Sequence, residues 1–142
     1  MQVADPERAR RAATLAILQE ADGHLEGWTC DNSTDCCRFA VTGREPWLTE
    51  AEFALLSAEV ARQGRKLPAV RADEVCPMLS AEGRCTVYEV RPLGCRTFFC
   101  DRAKGYGSYP RSDVSRLPRR LDELSKGDSR PIRSWLKGRS RS

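Results

Sequence analysis

Cys76-Pro77-Met78-Leu79-Ser80-Ala81-Glu82-Gly83-Arg84-Cys85-Thr86-Val87-Tyr88-Glu89-Val90-Arg91-Pro92-Leu93-Gly94-Cys95-Arg96-Thr97-Phe98-Phe99-Cys100 sets four thiols within 25 residues. The stretch reads as short pieces. Apolar Cys76 to Leu79 and Cys85 to Tyr88 flank a turn at Ala81 to Arg84, which predicts a hairpin. Pro92 then opens one short helical turn that carries Cys95. Cys30, Cys36 and Cys37 precede this block, giving seven cysteines in all. Thiolate sulfur is a soft ligand that suits zinc, copper(I) and iron–sulfur clusters and suits magnesium or calcium poorly. The spacings are irregular: eight residues between Cys76 and Cys85, nine between Cys85 and Cys95, four between Cys95 and Cys100. Zinc modules usually pair two C-x2-C knuckles, and this chain has none. Scattered spacing fits an iron–sulfur cluster better, because its separated irons accept ligands from separate loops.

Working outward, the chain of 142 residues has the size of one domain. Its N-terminus is charged and lacks the apolar run of a signal peptide, and no stretch approaches the roughly 18 apolar residues of a membrane span. These features predict a cytosolic protein without membrane contact, where thiols stay reduced and clustered cysteines hold metal more often than disulfides. An odd number of cysteines points the same way. The net charge of +4 is unevenly spread: residues 1–100 carry −3 and residues 101–142 carry +7.

Three parts are expected: an N-terminal helix within 1–27, a cysteine-cluster domain over 28–100, and a basic C-terminal extension with a short helix over 101–142. Asp5 and Pro6 read as the N-cap and first position of the first helix, which carries arginines on its outer face and ends at Gly23. Residues 27–46 read as a loop holding Cys30, Cys36 and Cys37. Thr49-Glu50-Ala51-Glu52 is a capping box for a second helix with Phe53, Leu56 and Val60 on one face and Gly64 just beyond its end. Pro118 to Lys126 predicts a helix with Leu121 and Leu124 inward, closed by Gly127. The stretch after Arg130 is expected to be only partly ordered. The fold class is α+β: a small, irregular, cysteine-rich metal-binding domain with flanking helices.

The second cysteine block resembles the YkgJ-type cysteine-cluster proteins, described as zinc- or iron-chelating domains. Their pattern of Cys-Pro-x-Leu, then Gly-x-Cys-x-hydrophobic-Tyr-Glu-x-Arg-Pro-x-x-Cys-Arg-x-Phe, is matched almost throughout from Cys76 to Cys100. Their first half is a C-x2-C-x2-C-C run. Here it reads Cys30-Asp31-Asn32-Ser33-Thr34-Asp35-Cys36-Cys37, with Ser33 in the second cysteine's place. The resemblance spans about residues 28–100 and implies that Cys30, Cys36, Cys37, Cys76, Cys85, Cys95 and Cys100 are candidate metal ligands. Which four ligate, and whether there are one or two sites, stays open; Cys36, Cys85, Cys95 and Cys100 are the first choice. A serine hydroxyl is a poor ligand beside a thiolate, so a site built on eight cysteines is incomplete here.

Arg91 and Arg96 are cations beside these thiols and can offset a cluster's negative charge or hydrogen-bond its sulfurs; the plainer reading pairs Arg91 with Glu89 or Glu74. Tyr88, Phe98 and Phe99 read as core packing that also walls the site from water. His24, the only histidine, is a surface or packing residue more readily than a mixed ligand with Cys30. A nucleophilic cysteine would need a base nearby, and His24 is the sole imidazole.

Three functions compete. The favoured one is an iron–sulfur protein, of the 4Fe–4S kind, for electron transfer or redox sensing with a protein partner. The alternative is a zinc-binding structural module that mediates a protein or nucleic-acid interaction. An enzyme is the third: the resemblance extends to cysteine clusters of flagellin lysine methylases. The chain shows no glycine-rich cofactor loop and little room for a substrate domain, so catalysis is not favoured. In the basic tail Trp135 lies among Arg130, Arg133, Lys137, Arg139 and Arg141, a pattern compatible with weak, salt-sensitive nucleic-acid contact. The plainer reading is a solvated tail with Trp135 folded back onto the body.

Overall fold

The structure, a computed structural model, describes residues 6–24, 45–73, 75–80, 84–97 and 114–139, with the side chains at 96, 97, 138 and 139 excepted. Among these residues there are five α-helices and one two-stranded sheet, an α+β arrangement with helices flanking the cysteine-bearing segment. The helices are α1 (Pro6–His24), α2 (Glu50–Arg62), α3 (Leu93–Thr97), α4 (Leu117–Leu124) and α5 (Ile132–Arg139). The strands are β1 (Trp47–Leu48) and β2 (Arg130–Pro131), and a 3-10 turn covers Tyr88–Val90.

Helix α1 buries Thr14, Ile17, Leu18 and Ala21, an i, i+3, i+4, i+7 stripe, against α2 and α4. It runs one residue past Gly23 and ends at His24, because Gly23 does not take the left-handed conformation that ends a helix. Arg10 departs from the expected arginine-rich outer face. Its side chain is 13 % exposed and ties three elements together. Nη1 donates to Glu50 Oε1 at the start of α2 and to the Leu124 carbonyl at the end of α4 (3.1 Å), and Nη2 donates to Glu50 Oε2 (2.9 Å) and Glu7 (2.8 Å). Arg10 thus closes the C-terminal carbonyl end of α4, where a cation is favoured. The same guanidinium holds the Glu50 carboxyl below its ordinary range.

The capping box of α2 forms as the sequence predicts. Glu52 N donates to Thr49 Oγ1 (3.2 Å), and Thr49 N donates back to Glu52 Oε1 (2.9 Å). At the other end Gln63 is the C-cap and Gly64 takes φ +73°, the left-handed conformation that favours glycine. Helix α4 starts one residue before Pro118 and ends at Leu124, with Leu121 buried and Leu124 half-buried. Gly127, at φ +95°, turns the chain toward β2.

The basic C-terminal stretch differs from the loosely ordered tail expected of it. β2 pairs antiparallel with β1, Trp47 opposite Pro131 and Leu48 opposite Arg130, and Ile132 N donates to the Pro46 carbonyl (2.9 Å). Ile132 and Leu136, four residues apart on α5, are each 1 % exposed and join Leu18, Leu48, Leu56, Leu117 and Leu121 in the core. Trp135 stacks on Phe53 with ring centroids 5.0 Å apart and donates its indole N–H to the Leu48 carbonyl (3.0 Å). Arg130 covers the Trp135 ring at 4.8 Å. Arginine density in the sequence conceals this amphipathic face. Arg141 and the expected N-cap at Asp5 lie outside the described residues.

Candidate metal centre

Three of the seven cysteines fall in the described residues, each on a different piece of backbone. Cys76 enters the predicted hairpin, and its carbonyl accepts from Leu79 N (3.0 Å). Among the described residues the two arms are joined by an antiparallel bridge, Leu79 to Cys85. Ser80 N donates to the Arg84 carbonyl (2.7 Å), and Thr86 N and Oγ1 both donate to the Met78 carbonyl (2.8 Å each). The chain then passes through the 3-10 turn into α3. Pro92 precedes that helix as expected, and its carbonyl accepts from Cys95 N at 3.0 Å. Cys76 is buried, Cys85 and Cys95 are partly exposed, and no disulfide joins the three.

The hydrophobic core reaches into this segment. Cys76, Met78, Val87, Val90 and Leu93 belong to the same buried cluster as the helices, with Cys85 packed against it. α3 is held from two further sides. A Cβ at Gly94 would lie 3.7 Å from Pro46 Cβ, so the residues entering β1 rest on the turn that carries Cys95. Leu93 N, an amide with no partner inside its own helix, donates to Glu52 Oε2 at 2.6 Å. Burial raises the Glu52 carboxyl above its ordinary value, against the lowering effect of the bonds from Leu93 N, Thr49 N and the Thr49 hydroxyl.

Two arginines near the cysteines in sequence have defined partners. Arg91 lies 4.0 Å above the Tyr88 ring centroid, and its Nε donates to the Tyr88 carbonyl (3.2 Å). Tyr88 is 59 % exposed, so it is no part of the core that the sequence suggested for it. Arg71, which the cysteine pattern does not single out, pairs with Asp73 at 3.0 and 2.5 Å. Its guanidinium is held further toward the charged form, mainly by Asp73 and to a smaller degree by Cys76. The available signal was position alone: Arg71 is five residues before Cys76. His24 closes α1 with Nε2 3.5 Å from Glu20 Oε2.

Cys30, Ser33, Cys36, Cys37, Cys100, Glu74, Phe98, Phe99 and the Arg96 side chain lie outside the described residues. Among those described, no three Cys, His, Asp or Glu side chains converge as they would around a metal ion. A site of four thiolates therefore takes at least one ligand from Cys30, Cys36, Cys37 or Cys100.

The family model CxxCxxCC, "Putative zinc- or iron-chelating domain", matches residues 29–112, more than half of the chain. The chain belongs to the CxxCxxCC family. Both cysteine groups lie inside the matched span, which also extends past Cys100 into the basic extension. No curated protein and no solved structure matches the chain. The donor chemistry fits the family's metals, since the cysteines supply soft sulfur ligands that zinc and iron–sulfur centres accept. The pattern that gives the family its name is incomplete here, because Ser33 stands at its second cysteine. None of the described helices is long and apolar enough to cross a membrane.

Proposed function

We propose that this CxxCxxCC protein carries one iron–sulfur cluster, of the 4Fe–4S kind, on cysteines drawn from both groups. The cluster would serve electron transfer or redox sensing with a cytosolic protein partner, without catalysis. The observation that supports the reading is the presentation of Cys76, Cys85 and Cys95 from a hairpin entry, a hairpin return and a separate helix. Ligands spread in this way suit a centre with separated iron corners better than a compact tetrahedral ion. Partial exposure of Cys85 and Cys95 leaves those thiols reachable from solvent, as a centre exchanging electrons with a partner requires. Arg91 and Arg96 offset the negative charge of such a centre.

The occupation of Trp135 by Phe53 and Leu48 weighs against base stacking by the basic tail, and leaves only charge to attract nucleic acid. Zinc is the second reading. It is favoured by Cys76 and Cys85 lying on the two arms of one hairpin, an arrangement by which a single ion could close that segment.

Anaerobic purification, elemental analysis and an absorption spectrum separate the two readings. The proposal expects about four irons and four acid-labile sulfides per chain and a brown preparation. One or two zincs in a colourless preparation overturn it in favour of the structural module.

A further inference from the structure

Glu52 lies inside the span that the family model matches but belongs to neither cysteine group. It is 3 % exposed, and its carboxylate faces two ways. Oε1 accepts from Thr49 N (2.9 Å) and Thr49 Oγ1 (3.0 Å), which completes the capping box. Oε2 accepts from Leu93 N at 2.6 Å. A capping box alone calls for the first of these connections. The second reaches a residue 41 positions away, at the start of α3 and two residues before Cys95.

Resting on the metal-binding reading above, we propose that Glu52 is a positioning residue for the thiolate centre. Its bond to Leu93 N fixes the start of α3 on the capped end of α2 and so sets where Cys95 is presented. α3 has five residues, too few to hold a helical turn by its own hydrogen bonds. Its placement must come from outside. Burial of Leu93 and the contact of Pro46 with Gly94 supply the apolar part. The Glu52 bond adds a directional restraint from a distant element. The rotation of α3 about its axis, which decides where the Cys95 sulfur points, depends on a directional restraint. Groups that orient metal ligands from behind typically change metal affinity by about 10–100-fold when removed.

Two variants of the full chain separate positioning from capping. Thr49→Ala removes the hydroxyl of the box and leaves the Glu52–Leu93 bond. Glu52→Met keeps the length and apolar bulk of the side chain and removes every acceptor. Zinc affinity is measured by competition with a chromophoric chelator, and the thiolate-to-cobalt absorption band is recorded with cobalt(II). The expected result is wild-type affinity and band for Thr49→Ala, against about 10–100-fold weaker zinc binding and a shifted band for Glu52→Met. Equal affinity and an unchanged band in Glu52→Met overturn the positioning role while leaving the metal-binding reading in place. A wild-type chain that holds neither of these metals, and no iron after anaerobic purification, overturns both. Should Glu52→Met fail to fold, amide exchange of the wild-type chain decides. Leu93 N–H protected as well as the α2 amides supports the role, and exchange at the rate of an unprotected amide overturns it.

Discussion

The helical frame and the cysteine segment are held together in different ways. In α1, α2, α4, α5 and β1, long-range side-chain burial does the work: Leu18, Leu48, Leu56, Leu117, Leu121, Ile132 and Leu136 are each at most 1 % exposed. Each such side chain contributes about 1.5–3 kcal/mol by leaving water. The polar clasp of Arg10, Glu50 and Leu124 then fixes the helix ends. Among the described residues, 75–80 and 84–97 carry the isolated bridge from Leu79 to Cys85, a 3-10 turn and a five-residue helix. They dock on the frame through Met78, Val87, Val90 and Leu93, and through the Glu52 bond. Their own secondary structure is too short to persist alone. A frame that folds on apolar burial, bearing a segment that the proposed metal would complete, is what this difference teaches.

Truncation sharpens the comparison most. Deleting residues 128–142 removes β2, Ile132, Trp135 and Leu136, and large-to-small changes at buried Ile or Leu cost about 2–5 kcal/mol each. The sum approaches a small domain's whole stability of about 5–15 kcal/mol, so the truncated chain is expected to lose its cooperative thermal transition. A truncated chain that melts as the full one does would remove the C-terminal elements from the frame.

Point changes in the two regions should then separate stability from metal content. Leu18→Ala is expected to cost about 2–5 kcal/mol in denaturant unfolding and leave the metal per folded molecule unchanged. Cys95→Ser is expected to lower metal content sharply while α2 and α4 stay folded, as read by elemental analysis and far-ultraviolet circular dichroism. Full metal content in Cys95→Ser would break the assignment of the segment as ligand-bearing.

The smallest effect expected is at the clasp. Glu50→Gln weakens charged hydrogen bonds from Arg10 and should cost about 1.5–3 kcal/mol at neutral pH. Because Arg10 depresses the Glu50 carboxyl below its ordinary 4.5, that contribution is present above pH 4.5 and disappears as pH falls through the lower folded-state value. The stability gap between wild type and Glu50→Gln should therefore narrow on acidification below 4.5. A gap independent of pH would show that Glu50 acts through packing alone.

What was legible in the sequence was local. The capping box at Thr49 and Glu52, the left-handed Gly64, the hairpin after Cys76 and the turn after Pro92 are each set by residues within a few positions of one another. Contacts that join distant residues were not. β1 and β2 are two residues each, too short to show alternation, and pair across more than 80 positions. Ile132 and Leu136 make a helical stripe of only two, set among arginines. Glu52 signalled a cap, and nothing in its neighbourhood announced a second bond to Leu93. The cysteines marked the candidate centre from composition alone, while Arg71 became visible only once its placement near Cys76 was known.

Backbone amide exchange of the anaerobically purified protein, before and after removal of metal by a chelator, tests the division most directly. The account predicts that residues 75–97 lose protection on chelation while α2, α4 and α5 keep theirs. Unchanged protection over 75–97, with metal demonstrably removed, would contradict it.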